Sequence, residues 1–287
     1  MNDRAGDNHP EKAPELPEME RRETEVMGIR TSYYQMGDAG KRPLLLVHGM
    51  TTSADSYRET MYGLADKFFM VAPDLPGFGF TDEIRPFTFE HLAYWLATFS
   101  TQLGMKRFGL VGHSFGGVIA ICFAARFPGL VSRMLLAAPP IYNSQSYPGY
   151  LRRLGLTLGA YEFGAKLSKS PLLVRWRVRS PFFAPDLVND SVFTRRTEDY
   201  KRARASAGAL KALAFTDLNP CVDKTDKPVC LVWGENDETV SLEDAERLAA
   251  HIDDANIETI SNCGHVTVAE QPGQFVAIAD KFFRQGE

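Results

Sequence analysis

The stretch "LVGHSFGGVIAICFAARFP", residues 110–128, decides the fold of this chain. An apolar run typical of a buried strand stops at Ser114, glycines stand on both sides of this serine, and a helical pattern follows. The segment Gly112-His113-Ser114-Phe115-Gly116 fits G-x-S-x-G, in which a serine occupies a sharp, strained turn between a strand and a helix. The glycines are needed because strand and helix pack closely there. A glycine-packed turn without chemistry fits the motif as well, so other parts of the chain must decide.

The composition is that of an ordinary globular protein. The chain has 287 residues, 44% hydrophobic and 24% charged, enough for one large domain or a domain with an insertion. A net charge of −4 gives no reason to expect nucleic acid as a partner. No apolar stretch reaches the roughly 18 residues of a membrane span, so we expect no transmembrane segment.

The cysteines and the N-terminal residues give an expectation for the cellular compartment of the protein. The four cysteines lack C-x-x-C spacing, so we expect reduced thiols and a cytoplasmic location. Residues 1–23 are charged and almost free of large apolar side chains, and they contain no apolar stretch typical of a secretory signal. This composition predicts a flexible tail.

Short apolar runs alternate with amphipathic helical patterns along most of the chain. This alternation predicts an α/β fold with a mostly parallel sheet, helices on both faces and an opening antiparallel hairpin. We expect residues 24–140 and 228–287 to form this core. The rhythm breaks over residues 141–227, which are helical and aromatic in character and predict a helical cap over the carboxyl ends of the strands. This segment carries 15 Lys and Arg and 8 Asp and Glu, a net charge of +7 against −11 for the remainder.

Two residues elsewhere are suited to activate Ser114. A serine hydroxyl is a poor nucleophile until a base takes its proton, and an acid must orient that base. His265 follows the last predicted strand, and Asp237 lies three residues past the end of the strand before it. The parallel sheet would bring both loops to the edge that carries Ser114. Two other acids, Glu235 and Glu238, flank Asp237 in this loop. The glycine turn that precedes them places Asp237 best to orient the histidine.

The loop after "LLLVHG" predicts an oxyanion hole. The backbone N–H of Met50 could pair with that of Phe115 to stabilise the negative charge of a tetrahedral intermediate. One such donor is commonly worth about 100- to 1000-fold in rate. We expect His48 to shape this loop rather than to titrate in catalysis. The next three residues are Thr51, Thr52 and Ser53. They either form hydrogen bonds within the loop or contact substrate.

From about Thr24 to its end, the chain resembles α/β-hydrolase fold enzymes with a helical cap. The resemblance rests on five motifs in family order: "HGMTTS", "DLPGFGFTD", "GHSFGG", "GENDETV" and "CGH". It implies an eight-stranded, mostly parallel sheet, an acyl-serine intermediate and no metal or organic cofactor. In "DLPGFGFTD", Asp74, Pro76 and the glycines are expected to shape a turn beside the site.

The resemblance implies a Ser-Asp-His hydrolase acting on a small-molecule substrate. Serine at position 114 argues against haloalkane dehalogenases and epoxide hydrolases of this family, which use aspartate there. The main hypothesis is cleavage of a small or medium carboxylic ester or related acyl bond. One alternative is hydrolysis of a C–C bond in a ring-cleavage-type diketone acid. Those C–C hydrolases commonly carry other residues next to the serine, and they have a tryptophan after the histidine. This chain has Val266 at that second position. An alternative of another class is a ligand-binding protein without catalysis.

The predicted cap combines arginines with aromatic residues, and three interpretations remain open. Its cations could receive an anionic or acyl-carrying substrate in an apolar cavity. The cap could instead lie against an anionic membrane surface. In the third interpretation it is a solvated helical face whose arginine stems cover apolar surface.

Overall fold

The protein is described by a computed structural model that covers residues 16–142 and 159–285. An eight-stranded sheet in the order β1-β2-β4-β3-β5-β6-β7-β8 forms its centre. The strands are β1 (Arg21–Val26), β2 (Ile29–Met36), β3 (Pro43–Val47), β4 (Phe69–Pro73), β5 (Phe108–His113), β6 (Val131–Ala137), β7 (Val229–Gly234) and β8 (Ala255–Ile260).

The sheet is mostly parallel. Strands β1 and β2 form an antiparallel hairpin, and β2 also pairs antiparallel with β4. All pairings among β3 to β8 are parallel. The eight strands, their mainly parallel direction and the opening hairpin were all predicted.

Helices cover both faces of the sheet. In the central strand β3, Leu45 and Val47 belong to one buried cluster and Leu44 and Leu46 to another, because successive side chains of a strand point to opposite faces. The core helices are α1 (Arg58–Leu64), α2 (Phe89–Gln102), α3 (Phe115–Arg126), α9 (Leu242–Ala249), α10 (Thr267–Glu270) and α11 (Pro272–Arg284). Helices α2, α3 and α9 pack on the first face, and α1 and α11 on the second.

A helical segment interrupts the core between β6 and β7. Its helices are α4 (Ala160–Leu167), α5 (Pro171–Arg179), α6 (Asp190–Arg202), α7 (Ser206–Phe215) and α8 (Asn219–Val222). Helix α5 packs against α6, and α4 against α7. The predicted cap, residues 141–227, includes these helices, while residues 143–158 of that prediction lie outside the described residues.

The predicted flexible tail, residues 1–23, is too long at its C-terminal end. Strand β1 begins at Arg21, which pairs with Tyr34 across the hairpin. The Arg21 guanidinium also donates a hydrogen bond of 2.8 Å to the Tyr34 hydroxyl. Backbone pairing and this contact order three charged residues whose composition alone indicates a solvated chain. Residues 1–15 of the predicted tail lie outside the described residues.

Candidate active site

Ser114 lies on a strained turn between β5 and α3. Its backbone angles are φ 52° and ψ −120°, a region that non-glycine residues rarely adopt. The Ser114 N–H donates to the Ala137 carbonyl on the neighbouring strand at 2.7 Å, and the Ser114 carbonyl accepts from the Gly117 N–H at 2.8 Å. These bonds hold the turn at the carboxyl end of the sheet.

Glycine is required on both sides of this turn. A Cβ at Gly116 would lie 2.0 Å from the Val47 carbonyl oxygen of β3. A Cβ at Gly112 would lie 2.7 Å from the Cα of Gly117. Both contacts are with backbone, which cannot move aside, so the close approach of strand and helix depends on these two glycines.

The structure brings Ser114, His265 and Asp237 together. The His265 Nε2 lies 2.9 Å from the Ser114 Oγ, and the His265 Nδ1 lies 2.8 Å from the Asp237 Oδ2. Asp237 follows the end of β7 and His265 follows the end of β8, so the loops after three parallel strands meet at one edge. The side chains of His265 and Asp237 are buried. This is the hydrogen-bond relay that a serine nucleophile requires.

The Asp237 carboxylate is fixed by backbone amides as well. Its Oδ1 accepts from the N–H of Thr239 at 2.8 Å and of Val240 at 3.0 Å, which leaves Oδ2 for His265. The neighbouring Glu235 is exposed and accepts from the Thr259 hydroxyl at 3.4 Å. Of the three acids in this loop, Asp237 is therefore the one that orients the imidazole.

The loop that carries His265 is held by the segment before α6. The His265 N–H donates to the Pro181 carbonyl at 2.8 Å. The Glu270 carboxylate accepts from the N–H of Gly264 and from the N–H of Ala184, both at 2.7 Å. The segment between β6 and β7 thus helps to fix the position of His265.

His113 supports His265 and does not act as a base. Its Nε2–H donates to the His265 carbonyl at 2.9 Å, and the two rings are 5.1 Å apart. Burial, followed by repulsion from His265, lowers the pKa of His113 to about 3. His113 is therefore neutral at physiological pH, which is consistent with its role as a donor to the loop.

The predicted oxyanion loop lies beside Ser114. A Cβ at Gly49 would lie 3.4 Å from the Ser114 Cβ, so the chain that leads into Met50 passes close to Ser114. Within the described residues, neither the Met50 nor the Phe115 amide donates a backbone hydrogen bond. The oxyanion hole formed by these two N–H groups stays a prediction.

His48 shapes this loop, as predicted. Its Nε2 accepts from the Leu75 N–H at 2.9 Å, and its Nδ1–H donates to the Gly49 carbonyl at 2.7 Å. Burial lowers the pKa of His48, and both nitrogens are already engaged. The Thr52 hydroxyl donates to the Gly49 carbonyl at 2.9 Å, so this threonine bonds the loop to itself.

The turn after β4 is also structural. The Asp74 carboxylate accepts from the Ala54 N–H at 2.8 Å and the Phe80 N–H at 3.0 Å. A Cβ at Gly79 would lie 2.4 Å from that carboxylate, so the turn depends on glycine there. Asp74 thereby links the "DLPGFGFTD" turn to the segment after the oxyanion loop.

Two charged residues of α6 whose side chains reach into the interior were not singled out in the sequence, the buried Asp199 and the partly buried Arg196. The Ser53 hydroxyl donates to the Asp199 carboxylate at 2.6 Å, and burial raises the pKa of Asp199 to about 7. Burial lowers the pKa of Arg196 to about 10, and its Nε has no hydrogen-bond partner among the described residues. The Arg196 guanidinium lies 5.2 Å from the centre of the ring of Phe182, the residue after Pro181, whose carbonyl accepts from the His265 N–H. Helical periodicity in one chain does not say which face of α6 meets the core, so only the fold identifies them.

Neither a metal-binding cluster nor a membrane-spanning helix is found among the described residues. In residues 16–142 and 159–285, no group of three or more His, Cys, Asp or Glu side chains is arranged to hold a metal ion. Among the helices that the structure describes, none is both long and apolar enough to cross a membrane.

Comparison with known proteins finds hydrolases among the relatives of this chain. The chain is 28% identical over 256 residues to the uncharacterized hydrolase YugF of Bacillus subtilis, covering 86% of this chain and 92% of that protein. It is 28% identical over 273 residues to a 2-hydroxy-6-oxo-2,4-heptadienoate hydrolase of Pseudomonas putida, covering 89% of this chain and 93% of that protein.

A solved structure agrees in fold. A thermophilic esterase from Thermogutta terrifontis superposes with a TM-score of 0.76 at 20% identity, covering 93% of this chain and 98% of that one. The sequence model of the family described as alpha/beta hydrolase fold matches residues 42–272. Because that match spans most of the chain, the protein belongs to the alpha/beta hydrolase fold family.

Proposed function

We propose that this hydrolase cleaves a small or medium carboxylic ester, or a related acyl bond, through an acyl-serine intermediate. The observation that carries the proposal is the relay from Asp237 through His265 to the Ser114 Oγ, with hydrogen bonds of 2.8 and 2.9 Å. The strained turn that presents the serine supports it further, because backbone strain persists where the surrounding structure enforces it.

Each step of the proposed reaction uses groups of this chain. His265 Nε2 takes the proton of Ser114 as Oγ attacks the carbonyl carbon, and the amides of Met50 and Phe115 stabilise the oxyanion. The imidazolium then protonates the departing alcohol, and the acyl group remains on Oγ. His265 next takes a proton from water, whose oxygen attacks the acyl-serine. Collapse of this second intermediate releases the acid and returns the proton to Ser114.

Hydrolysis of a C–C bond is the second candidate, and Arg196 is the observation that favours it. The Nε of Arg196 is buried and has no hydrogen-bond partner among the described residues, and a guanidinium N–H can pair with the carboxylate of a diketone acid. The relative from Pseudomonas putida, named for such a substrate, aligns with most of the chain. In this reaction the C–C bond next to the attacked carbonyl would break in place of a C–O bond, and the departing enol fragment would take the proton that His265 received from Ser114.

A fluorophosphonate probe tests the proposed nucleophile. We expect covalent labelling at Ser114, located by mass spectrometry, and none in Ser114→Ala. A panel of carboxylic esters, thioesters and a vinylogous diketone acid then separates the two reactions by turnover. A folded protein that takes no label and turns over no substrate, yet binds a ligand, would support the class of non-catalytic members instead.

We further propose that residues 141–227 act as a cap over the site and that residues 24–140 and 228–287 form the catalytic core. The bonds from Pro181 and Ala184 to the His265 loop support this division. The expected partner is a small-molecule substrate, either anionic or acyl-carrying. A cytoplasmic location stays a prediction from the cysteine pattern.

A further inference from the structure

The outer side of α5 carries large apolar side chains that face solvent. Leu172 is 88% exposed and Trp176 is 60% exposed, one helical turn apart. Val174 and Val178, on the opposite side of the helix, are buried. The helix is therefore anchored by one apolar stripe and presents a second one outward, which packing within the described residues does not explain.

This exposed stripe continues into the loop after α5. An open groove of about 520 Å³ is lined by Leu172, Arg175, Trp176, Arg179, Ser180, Phe182, Phe183 and Pro185. Phe183 and Leu187 are also exposed. We call Leu172, Arg175, Trp176, Arg177, Phe183 and Leu187 the cap-face patch. The preceding helix α4 adds two more exposed apolar side chains, Phe163 and Leu167.

The cations of the cap-face patch are not neutralised. Within the described residues, no acid pairs with Arg175 or Arg177, and the Arg177 guanidinium lies 5.8 Å from the centre of the Trp176 ring. The nearby Arg179 differs, because it pairs with Asp186 and Asp190, each at 3.6 Å. The patch thus combines uncompensated positive charge with exposed apolar side chains.

The distribution of charge over the whole chain indicates what kind of surface binds the cap-face patch. Residues 141–227 carry a net charge of +7 while the remainder carries −11, so the cap is attracted to an anionic surface from which the core is repelled. A second copy docked patch to patch would bring the same arginines together, which costs energy. Tryptophan and leucine flanked by arginine are suited to the boundary between lipid headgroups and acyl chains.

We propose that the cap-face patch docks on the surface of a bilayer that contains anionic lipids. Leu172, Trp176 and Phe183 enter the interface, and Arg175 and Arg177 lie against the headgroups. The protein then approaches the bilayer with its cap, with the acidic core directed away from it. This docking goes beyond the proposed reaction and does not depend on it.

Vesicle flotation tests the proposal on the full-length chain. We expect binding to vesicles of phosphatidylcholine with phosphatidylglycerol and little binding to phosphatidylcholine alone, with a loss of binding in high salt. Since each arginine near such a surface contributes about fivefold in affinity, Arg175→Gln with Arg177→Gln should weaken binding by about 25-fold. Leu172→Ser with Trp176→Ser should weaken it by roughly tenfold or more.

Matched substitutions on the core serve as controls. Met27 is exposed on the β1–β2 hairpin, and Arg85 is an exposed arginine, so Met27→Ser and Arg85→Gln should leave vesicle binding unchanged. A cooperative thermal melting transition checks that each variant is folded, whether or not it reacts. Fluorophosphonate labelling of the same samples separates failure of docking from failure of the proposed function, because a labelled protein that does not float contradicts only the docking.

Three results would overturn the proposal. The first is an unmodified protein that binds no anionic vesicle, and the second is binding that the two double variants leave intact. The third is a dimer, seen by light scattering, that Leu172→Ser with Trp176→Ser converts to a monomer without any vesicle binding by the parent protein. That result would assign the patch to contact between copies of this chain.

Discussion

The backbone of Ser114 is strained, and its neighbours hold it in that state. A residue in a sparsely populated region costs of order 1–3 kcal/mol, which the surrounding structure must offset. Here the two flanking elements, β5 and α3, are almost wholly buried, and the Ala137 carbonyl holds the Ser114 N–H. Because the turn cannot relax without disturbing that packing, the Oγ stays within reach of His265.

The orientation of His265 depends on Asp237, which gives a prediction at the residue scale. Asp237→Asn keeps the size of the side chain, and its oxygen stays with the N–H groups of Thr239 and Val240, so its amide N–H faces the His265 Nδ1. Nδ1 must then accept, Nε2 carries the ring proton, and the imidazole loses the tautomer that can take the Ser114 proton. We expect kcat to fall by about 10⁴-fold with little change in KM. Steady-state kinetics with an ester found in the panel measures this.

Glu235→Gln is the matched control, since that acid is exposed and lies in the same loop. It should change kcat by less than about twofold, the range of a neutral surface substitution. Equal losses in both variants would show that the loop as a whole, and not the Asp237 carboxylate, supports His265.

The buried Asp199 predicts a pH dependence of stability. Its pKa in the folded protein, about 7, lies above the ordinary value of 3.8, mainly because of burial. Below about pH 4 the carboxyl is protonated in both states and has no effect. As the pH rises, the unfolded chain releases this proton first, so stability is lost progressively until about pH 7, by at most about 4 kcal/mol.

Asp199→Asn removes this ionisation while keeping an oxygen that can accept from Ser53. We expect the variant and the parent to have similar melting temperatures near pH 4, with the variant increasingly more stable toward pH 8. Asp186→Asn is the control, because Asp186 is almost fully exposed, and it should show no such trend. A constant difference across the pH range would contradict the burial of a titrating carboxyl at position 199.

At the scale of elements, the contact of β3 with α3 passes through Gly116. A methyl group there would overlap the Val47 and His48 carbonyl oxygens, at 2.0 and 2.5 Å. Gly116→Ala must therefore separate the helix from the strand or displace the oxyanion loop. We expect a loss of roughly 3 kcal/mol or more in the free energy of unfolding, measured by urea denaturation, together with lower activity.

Gly129→Ala is the matched control for this substitution. A Cβ at Gly129 would meet nothing within 4 Å, so its unfolding free energy should change by less than about 0.5 kcal/mol. Similar losses at both positions would mean that the close approach of β3 and α3 does not explain the requirement for glycine at position 116.

The sequence predicted those parts of the fold and site that depend on strand ends. Strands β3 to β7 are buried along most of their length, so their apolar runs are clear, and Ser114 and Asp237 are found by counting from where two of these runs stop. His265 follows β8, an edge strand that is largely exposed but still ends in a buried isoleucine. The Ser53–Asp199 hydrogen bond joins residues 146 positions apart and leaves no periodic signal. The start of β1 at Arg21 was missed because pairing with β2, and not composition, orders that charged strand.

At the scale of the whole molecule, helix α6 is attached to the core by charged side chains. The Arg195 guanidinium lies 2.7 Å from the Asp55 carboxylate and 3.1 Å from that of Glu59. Arg58 also binds Asp55, at 2.6 Å, so the contact is a network and not a single pair. The same helix carries Asp199, which accepts a hydrogen bond from Ser53 at the end of the predicted oxyanion loop. Movement of α6 would therefore displace residues at the candidate active site.

Arg195→Gln tests this coupling between α6 and the core. The substitution removes the Arg195 cation from Glu59, while Asp55 keeps its pair with Arg58. We therefore expect the free energy of unfolding to fall by about 1–3 kcal/mol, the low end of the cost of breaking a buried ion pair. Hydrogen exchange should become faster across α6 and remain unchanged in β5 and β6, because the sheet does not depend on this contact.

Lys201→Gln separates this effect from a general loosening of α6. Lys201 lies in the same helix, and its exposed ammonium pairs only with Glu198 one turn away among the contacts described. A surface pair of this kind contributes about 0.5 kcal/mol at most, so exchange should match that of the parent protein. If Arg195→Gln also leaves α6 protected, the apolar packing of Val192 and Phe193, and not the charged network, fixes the helix on the core. If α6 exchanges faster and kcat falls with it, attachment of this helix is part of what keeps the oxyanion loop in place.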